Sequence, residues 1–209
     1  MSNRLHAFIN NEIYHIYNRG NSKQVIYQDA QDHEYFINLL LVMNTEKRVA
    51  SRVNKVKDIE NIVDIGAYCL MPNHFHIMIK QQKDDGIILF MRKVSTAYAM
   101  YYNKKYKRTG GLFEGRFKSK HIGEDRYLKY LFSYIHLNPL KLLDENWKTK
   151  ARYPSIDMFK FLTLYMHSSF GEYYRNEEIV INKKAFPDYF PTTSSFIKEL
   201  VSWFSLGEK

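Results

Sequence analysis

The stretch Cys69–Lys80, "CLMPNHFHIMIK", sets two histidines one residue apart in an apolar run that opens after Pro72-Asn73. Successive side chains of a strand point to opposite faces. His74 and His76 therefore share one face, while Phe75, Ile77 and Ile79 share the other. Imidazoles two positions apart on a strand stand about 7 Å from each other and can converge on one ion. The same pattern also describes two satisfied histidines in a half-buried strand. The pair alone does not separate these readings.

Upstream, "VDIGAYCLM" (63–71) is a second β-like run, and Pro72-Asn73 between the two runs is a hairpin signal. "EIYHIYNRG" (12–20) alternates in the same way and ends at Gly20. Residues 29–47 open with Asp29 as an N-cap and carry Phe36, Leu39, Leu40 and Met43 at helical spacing. A second helix is predicted over 86–107, with Ile87, Phe90, Met91, Val94, Tyr98, Tyr101 and Tyr102 on or near one face, ended by Gly110-Gly111. "RFKSKHI" (116–122) reads as a strand, and 124–138 as a third helix stopped by Pro139. The order β-α-β-β-α-β-α predicts an α+β fold: a ferredoxin-like split βαβ antiparallel sheet with helices on one face. After about residue 145 the pattern changes to helices joined by loops. Residues 145–209 are accordingly expected to form a helical C-terminal extension to a domain spanning 1–144.

With 209 residues, 45% of them hydrophobic and 16% aromatic, the chain can bury a real core. One cysteine, Cys69, excludes an intramolecular disulfide and a multi-cysteine zinc site, and fits a reducing compartment. The first residues lack the charged-then-apolar design of a signal peptide, and "LLLVM" (39–43) is too short to span a bilayer. A cytoplasmic protein with no membrane partner is expected. The net charge of +9 points to a polyanionic partner.

Helix 124–138 supplies groups that could complete a site. Tyr134 and Asn138 are one turn apart on one face, while Leu128, Leu131, Phe132 and Ile135 form the stripe that packs on the sheet. Tyr134 sits beside that stripe, where its ring can pack and its hydroxyl can emerge. Nine cations fall between Arg92 and Lys120, a span whose only acid is Glu114. Tyrosines and phenylalanines are interleaved with them, a composition suited to single-stranded nucleic acid.

Taken in order, "YHIYNRG" (14–20), "AYCLMPNHFHIMIK" (67–80), "GGLFEGRFKSKHI" (110–122) and "YLFSYIHLNP" (130–139) resemble the REP-associated tyrosine transposases and the related single-strand insertion-sequence transposases of the HUH endonuclease superfamily. The resemblance covers roughly 12–142 and implies roles at matching positions. His74 and His76 would be the metal-binding pair, Tyr134 the single nucleophile and Asn138 the third ligand. Imidazole and amide ligands without a thiolate suit Mg²⁺ or Mn²⁺. The implied reaction is transesterification of hairpin-containing single-stranded DNA through a 5′-phosphotyrosine. Arg19, Arg92, Lys93, Lys104, Lys105, Arg116, Lys118 and Lys120 would hold the backbone. A homodimer is one assembly the resemblance allows. The rival reading is a non-catalytic single-strand-binding module of ferredoxin-like fold, which needs the basic surface but not His74, His76 and Tyr134 together. A small-molecule metalloenzyme would leave the basic surface unexplained.

Overall fold

In the computed structural model, residues 7–45, 60–147 and 156–205 are described. Of the segments read above, 46–47, 148–155 and 206–209 fall outside them. Strand β1 (Ile13–Arg19) leads through a short loop to helix α1 (Ala30–Val42), then to strands β2 (Val63–Met71) and β3 (His74–Gln81). Helix α2 (Gly86–Lys105), strand β4 (Lys118–Ile122) and helix α3 (Asp125–Leu137) follow. The sheet order is β2-β3-β1-β4 and every neighbouring pair is antiparallel, the split βαβ arrangement that the element order predicts. β3, which carries both histidines, is an interior strand.

Local chemistry accounts for these boundaries. Asp29 caps α1, its Oδ1 accepting the Asp32 amide at 3.0 Å. β2 and β3 join across Pro72-Asn73 with Met71 opposite His74. β2 is buried along its whole length, because both of its faces and its outer edge are covered. It is irregular between Ile65 and Ala67, at Gly66. A β-carbon on Gly66 would stand 2.7 Å from both the Met78 and Phe186 side chains, so the close approach of the C-terminal chain needs glycine there.

The two faces of β3 divide the helices. Phe75 meets Phe36 of α1 at 5.2 Å between ring centres, and Phe36 meets Tyr98 of α2 at 5.0 Å. α1 and α2 thus share one face, as the split βαβ pattern expects. α3 lies across the other face, the face of His74 and His76, burying Leu128, Leu131, Phe132 and Ile135. Pro139 does not simply stop the chain's helical path. It sits at the start of a 3₁₀ turn, Asn138–Leu142, that continues directly from α3.

Beyond 145 the described chain is helical in the main, with α4 (Ile156–Leu164), α5 (Phe170–Arg175) and α6 (Thr193–Ser205). Residues 167–169 run along the free edge of β2, where Leu70 donates its N–H to the His167 carbonyl and Ser169 donates to that of Tyr68, each at 2.9 Å. The buried Glu172 carboxylate accepts the amides of Ile179, Val180 and Ile181 and the Tyr68 hydroxyl. Phe190, in the loop before α6, stacks on Phe132 of α3 at 4.2 Å. Among the described residues no helix is long and apolar enough to cross a membrane.

Candidate active site

β1 and β3 place the first groups. In their register Tyr17 faces His76 and Arg19 faces His74. On the other side Cys69 of β2 faces His76. The rings of His74 and His76 are 5.0 Å apart and nearly perpendicular.

Each histidine has one ring nitrogen already engaged. His74 Nδ1 donates to Asn73 Oδ1 at 2.6 Å, leaving Nε2 with its lone pair. His76 Nδ1 meets Nε2 of His15, a β1 residue, at 2.9 Å. With the shared proton on His76 Nδ1, its Nε2 is likewise left basic. This is how metal-ligating imidazoles are held, through a hydrogen bond from the nitrogen that does not ligate. Burial keeps the rings neutral. His74 is pushed down to about 4 by desolvation and then by the charges of Lys141 and Arg19. His15 is also pushed down to about 4, by burial and then Lys120, and His76 lies well below its ordinary value through burial.

α3 brings Tyr134 to the same place, its ring 5.3 Å from that of His76. Burial raises the Tyr134 hydroxyl, and the Asn138 amide partly opposes that rise. Asn138 itself is 1% exposed, and although its amide is near enough to lower the Tyr134 hydroxyl, neither of its side-chain atoms makes a hydrogen bond of good geometry. Such an orphaned buried amide costs about 1–3 kcal/mol and calls for a partner. Among the described residues no three His, Cys, Asp or Glu side chains are grouped to hold a metal ion. An unpartnered amide oxygen beside two imidazoles is a donor type that suits Mg²⁺ or Mn²⁺. The donor set fits the ion.

A cleft of about 410 Å³ opens over these groups, lined by His74, His76 and Tyr134 together with Tyr17, Arg19, Lys23 and Lys118. Arg19 is held in place by a two-pronged pair with Glu114, one arm of it at 2.9 Å. Lys120 shares this face, opposite His15 in register, and its ammonium lies 3.9 Å over the Tyr127 ring. Arg116 is exposed just before β4.

The structure does not bring Arg92, Lys93, Lys104 and Lys105 to the cleft. All four belong to α2, which packs on the Phe75 face. Lys105 is bound to Asp29 at 2.8 Å and Asp32 at 2.7 Å, and Lys93 donates to the Thr45 carbonyl. Their density in the sequence reflects one solvated helix as much as one binding surface. His136, two residues from Tyr134, is a core residue whose ring bonds the Phe132 carbonyl and the Ser169 hydroxyl.

A family model described as "Transposase IS200 like" matches residues 10–138. The chain belongs to the IS200-like transposase family. The match begins just before β1 and ends on Asn138, so it takes in every group of the cleft described above. A solved structure, a REP-associated tyrosine transposase bound to a REP hairpin, shares the fold. At 13% identity it covers 86% of this chain and 90% of its own, with a TM-score of 0.55. No curated protein matches the chain.

In this IS200-like transposase, sequence reasoning passed over His15, Lys23, Asn73 and Lys141. His15 carried one signal, since it lies two positions from Tyr17 and so on the same strand face. Its meeting with His76 depends on strand register, which no local pattern states. Lys141 follows Pro139 in a stretch with no periodicity to orient it.

Proposed function

We propose that this transposase is a metal-dependent transesterase that cuts and rejoins single-stranded DNA beside a hairpin, with Tyr134 as nucleophile and residues 1–144 as its catalytic unit. The observation that carries this reading is the 5.3 Å approach of Tyr134 to His76. A phenol on α3 and an imidazole pair on β3, 58 positions apart in the chain, meet in one cationic cleft. A non-catalytic binding module has no need of that convergence.

His74, His76 and Asn138 would hold Mg²⁺ or Mn²⁺, which supplies Lewis-acid polarisation of a non-bridging oxygen of the scissile phosphate. The protein's own groups do the rest. Arg19, Lys118 and Lys120 hold the strand by its phosphates and bring the scissile group in line. The Tyr134 oxygen bonds phosphorus, the bond from phosphorus to the 3′-oxygen breaks, and the phenolic proton is lost. The phosphotyrosine conserves the phosphodiester, so a 3′-hydroxyl can reverse the reaction. An aryloxide leaves more readily than an alkoxide, since the phenol ionises near pH 10.

Incubation with a labelled single-stranded hairpin oligonucleotide and Mn²⁺ should give a covalent protein–DNA adduct. Tyr134→Phe should abolish it, and His74→Ala should lose the metal-dependent adduct. An adduct persisting in Tyr134→Phe would reject the assignment, and DNA binding without any adduct would favour the non-catalytic reading.

A further inference from the structure

Lys141 lies in the 3₁₀ turn that follows α3, and its ammonium stands 5.2 Å from the centre of the Tyr134 ring. The residue is half-buried, and among the described residues no carboxylate is paired with it. Two other cations of the sheet and helices are paired with carboxylates, Arg19 with Glu114 and Lys105 with Asp29 and Asp32. Desolvation pushes the Lys141 amine below its ordinary range. Its charge also lowers the basicity of His74 and His76, in each case less than burial does. A partly desolvated ammonium without a counter-ion is unfavourable unless an anion arrives to meet it. The face of the Tyr134 ring is a weak substitute for that anion.

We propose that Lys141 is an anion-binding residue of the active site, taking a non-bridging oxygen of the phosphodiester that Tyr134 attacks. The proposal rests on the transesterase reading for the identity of the anion. Because Lys141 sits on the turn that continues α3, ammonium and phenol are carried by one rigid element, and the phosphate is fixed relative to its attacker. Arg19, Lys23 and Lys118, which line the cleft, hold the strand elsewhere along its backbone. In the step itself the bond from Tyr134 Oη to phosphorus forms and that from phosphorus to the 3′-oxygen breaks. The phenolic proton passes to solvent, the departing oxygen is protonated from solvent, and Lys141 keeps its protons throughout.

Two arms test this. In a Tyr134→Phe background, where no covalent step intervenes, binding of a fluorescent single-stranded hairpin oligonucleotide is measured across a salt series. One phosphate contact contributes about 0.7 to the slope of log affinity against log salt. Lys141→Met should lower the slope by about that amount, and Lys141→Arg should leave it unchanged. In the second arm, with Tyr134 intact and Mn²⁺ present, Lys141→Met should slow adduct formation at saturating DNA by roughly a hundredfold, a loss of the size expected for one positioned electrostatic group. Lys141→Arg should recover most of it. A slope unchanged by Lys141→Met, or lost equally in the arginine variant, overturns the proposal. Lys141→Gln is the second charge-free variant should the methionine protein fail to fold. If Tyr134→Phe still forms the adduct, the transesterase reading fails, yet the salt slopes still decide whether Lys141 binds the anion.

Discussion

His15 on β1 and His76 on β3 are diagonal neighbours on one face of the sheet, Nε2 to Nδ1 at 2.9 Å. The contact engages Nδ1 of a ring that lies 5.3 Å from that of Tyr134 and lines the cleft. It favours one tautomer of His76 and adds to the packing that holds the ring.

The first prediction concerns that contact. His15→Ala should weaken Mn²⁺ binding about ten- to a hundredfold, the usual effect of removing a group that holds a ligand imidazole. Isothermal titration of Mn²⁺ into the protein, without DNA, measures it. Equal affinity in the variant would show that β3 packing alone orients His76.

Acid sensitivity follows from the buried histidines. His136 is wholly buried and pushed down to about 3 by desolvation, against about 6.5 in the unfolded chain. Between those values the unfolded state binds the extra proton, so stability is full above pH 6.5 and falls as pH drops toward 3. The loss approaches about 1.4 kcal/mol per pH unit for one such group. Denaturant midpoints at pH 7 and pH 5 should show it, and His136→Gln should flatten the dependence.

Glu172 ties the C-terminal helices to the sheet. Glu172→Ala would strand the amides of Ile179, Val180 and Ile181 and the Tyr68 hydroxyl. A cost of about 3 kcal/mol is expected. Thermal unfolding reads the loss, which should occur without change in the metal affinity of the His74–His76 pair.

The placement of the cations makes a prediction about DNA. Lys118→Ala should lower both the affinity for a single-stranded hairpin oligonucleotide and the salt slope, the latter by about 0.7. Arg92→Ala and Lys104→Ala, on α2, should leave the slope nearly unchanged. Fluorescence anisotropy across a salt series distinguishes the two faces. A large effect at Arg92 would mean that the DNA reaches around the sheet.

Much of this molecule is readable from local pattern. The alternation in 63–71 and 74–80, the cap at Asp29 and the helical spacing in α1, α2 and α3 all reflect interactions within one element, where periodicity of 2 or 3.6 states which face is buried. The pairing of His74 with His76 on one face, and of Tyr134 with Asn138 on one helical turn, has the same origin. These could be named before any packing was known.

What the chain could not state locally is which elements share a face of the sheet. The cluster of cations from Arg92 to Lys120 is contiguous in sequence, yet the crossover through Gly110-Gly111 sends α2 to the Phe75 face and β4 to the edge beside β1. Only Lys118 and Lys120, with Arg19 from β1, end on the histidine face. His15 and Lys141 are the converse case. His15 is distant in sequence from His76 and is brought there by antiparallel register, while Lys141 follows Tyr134 closely but is aimed by the turn after α3 and not by a periodic pattern. Local propensity sets an element and its buried face, while the neighbours of that face are chosen by the whole core, which only the tertiary structure decides.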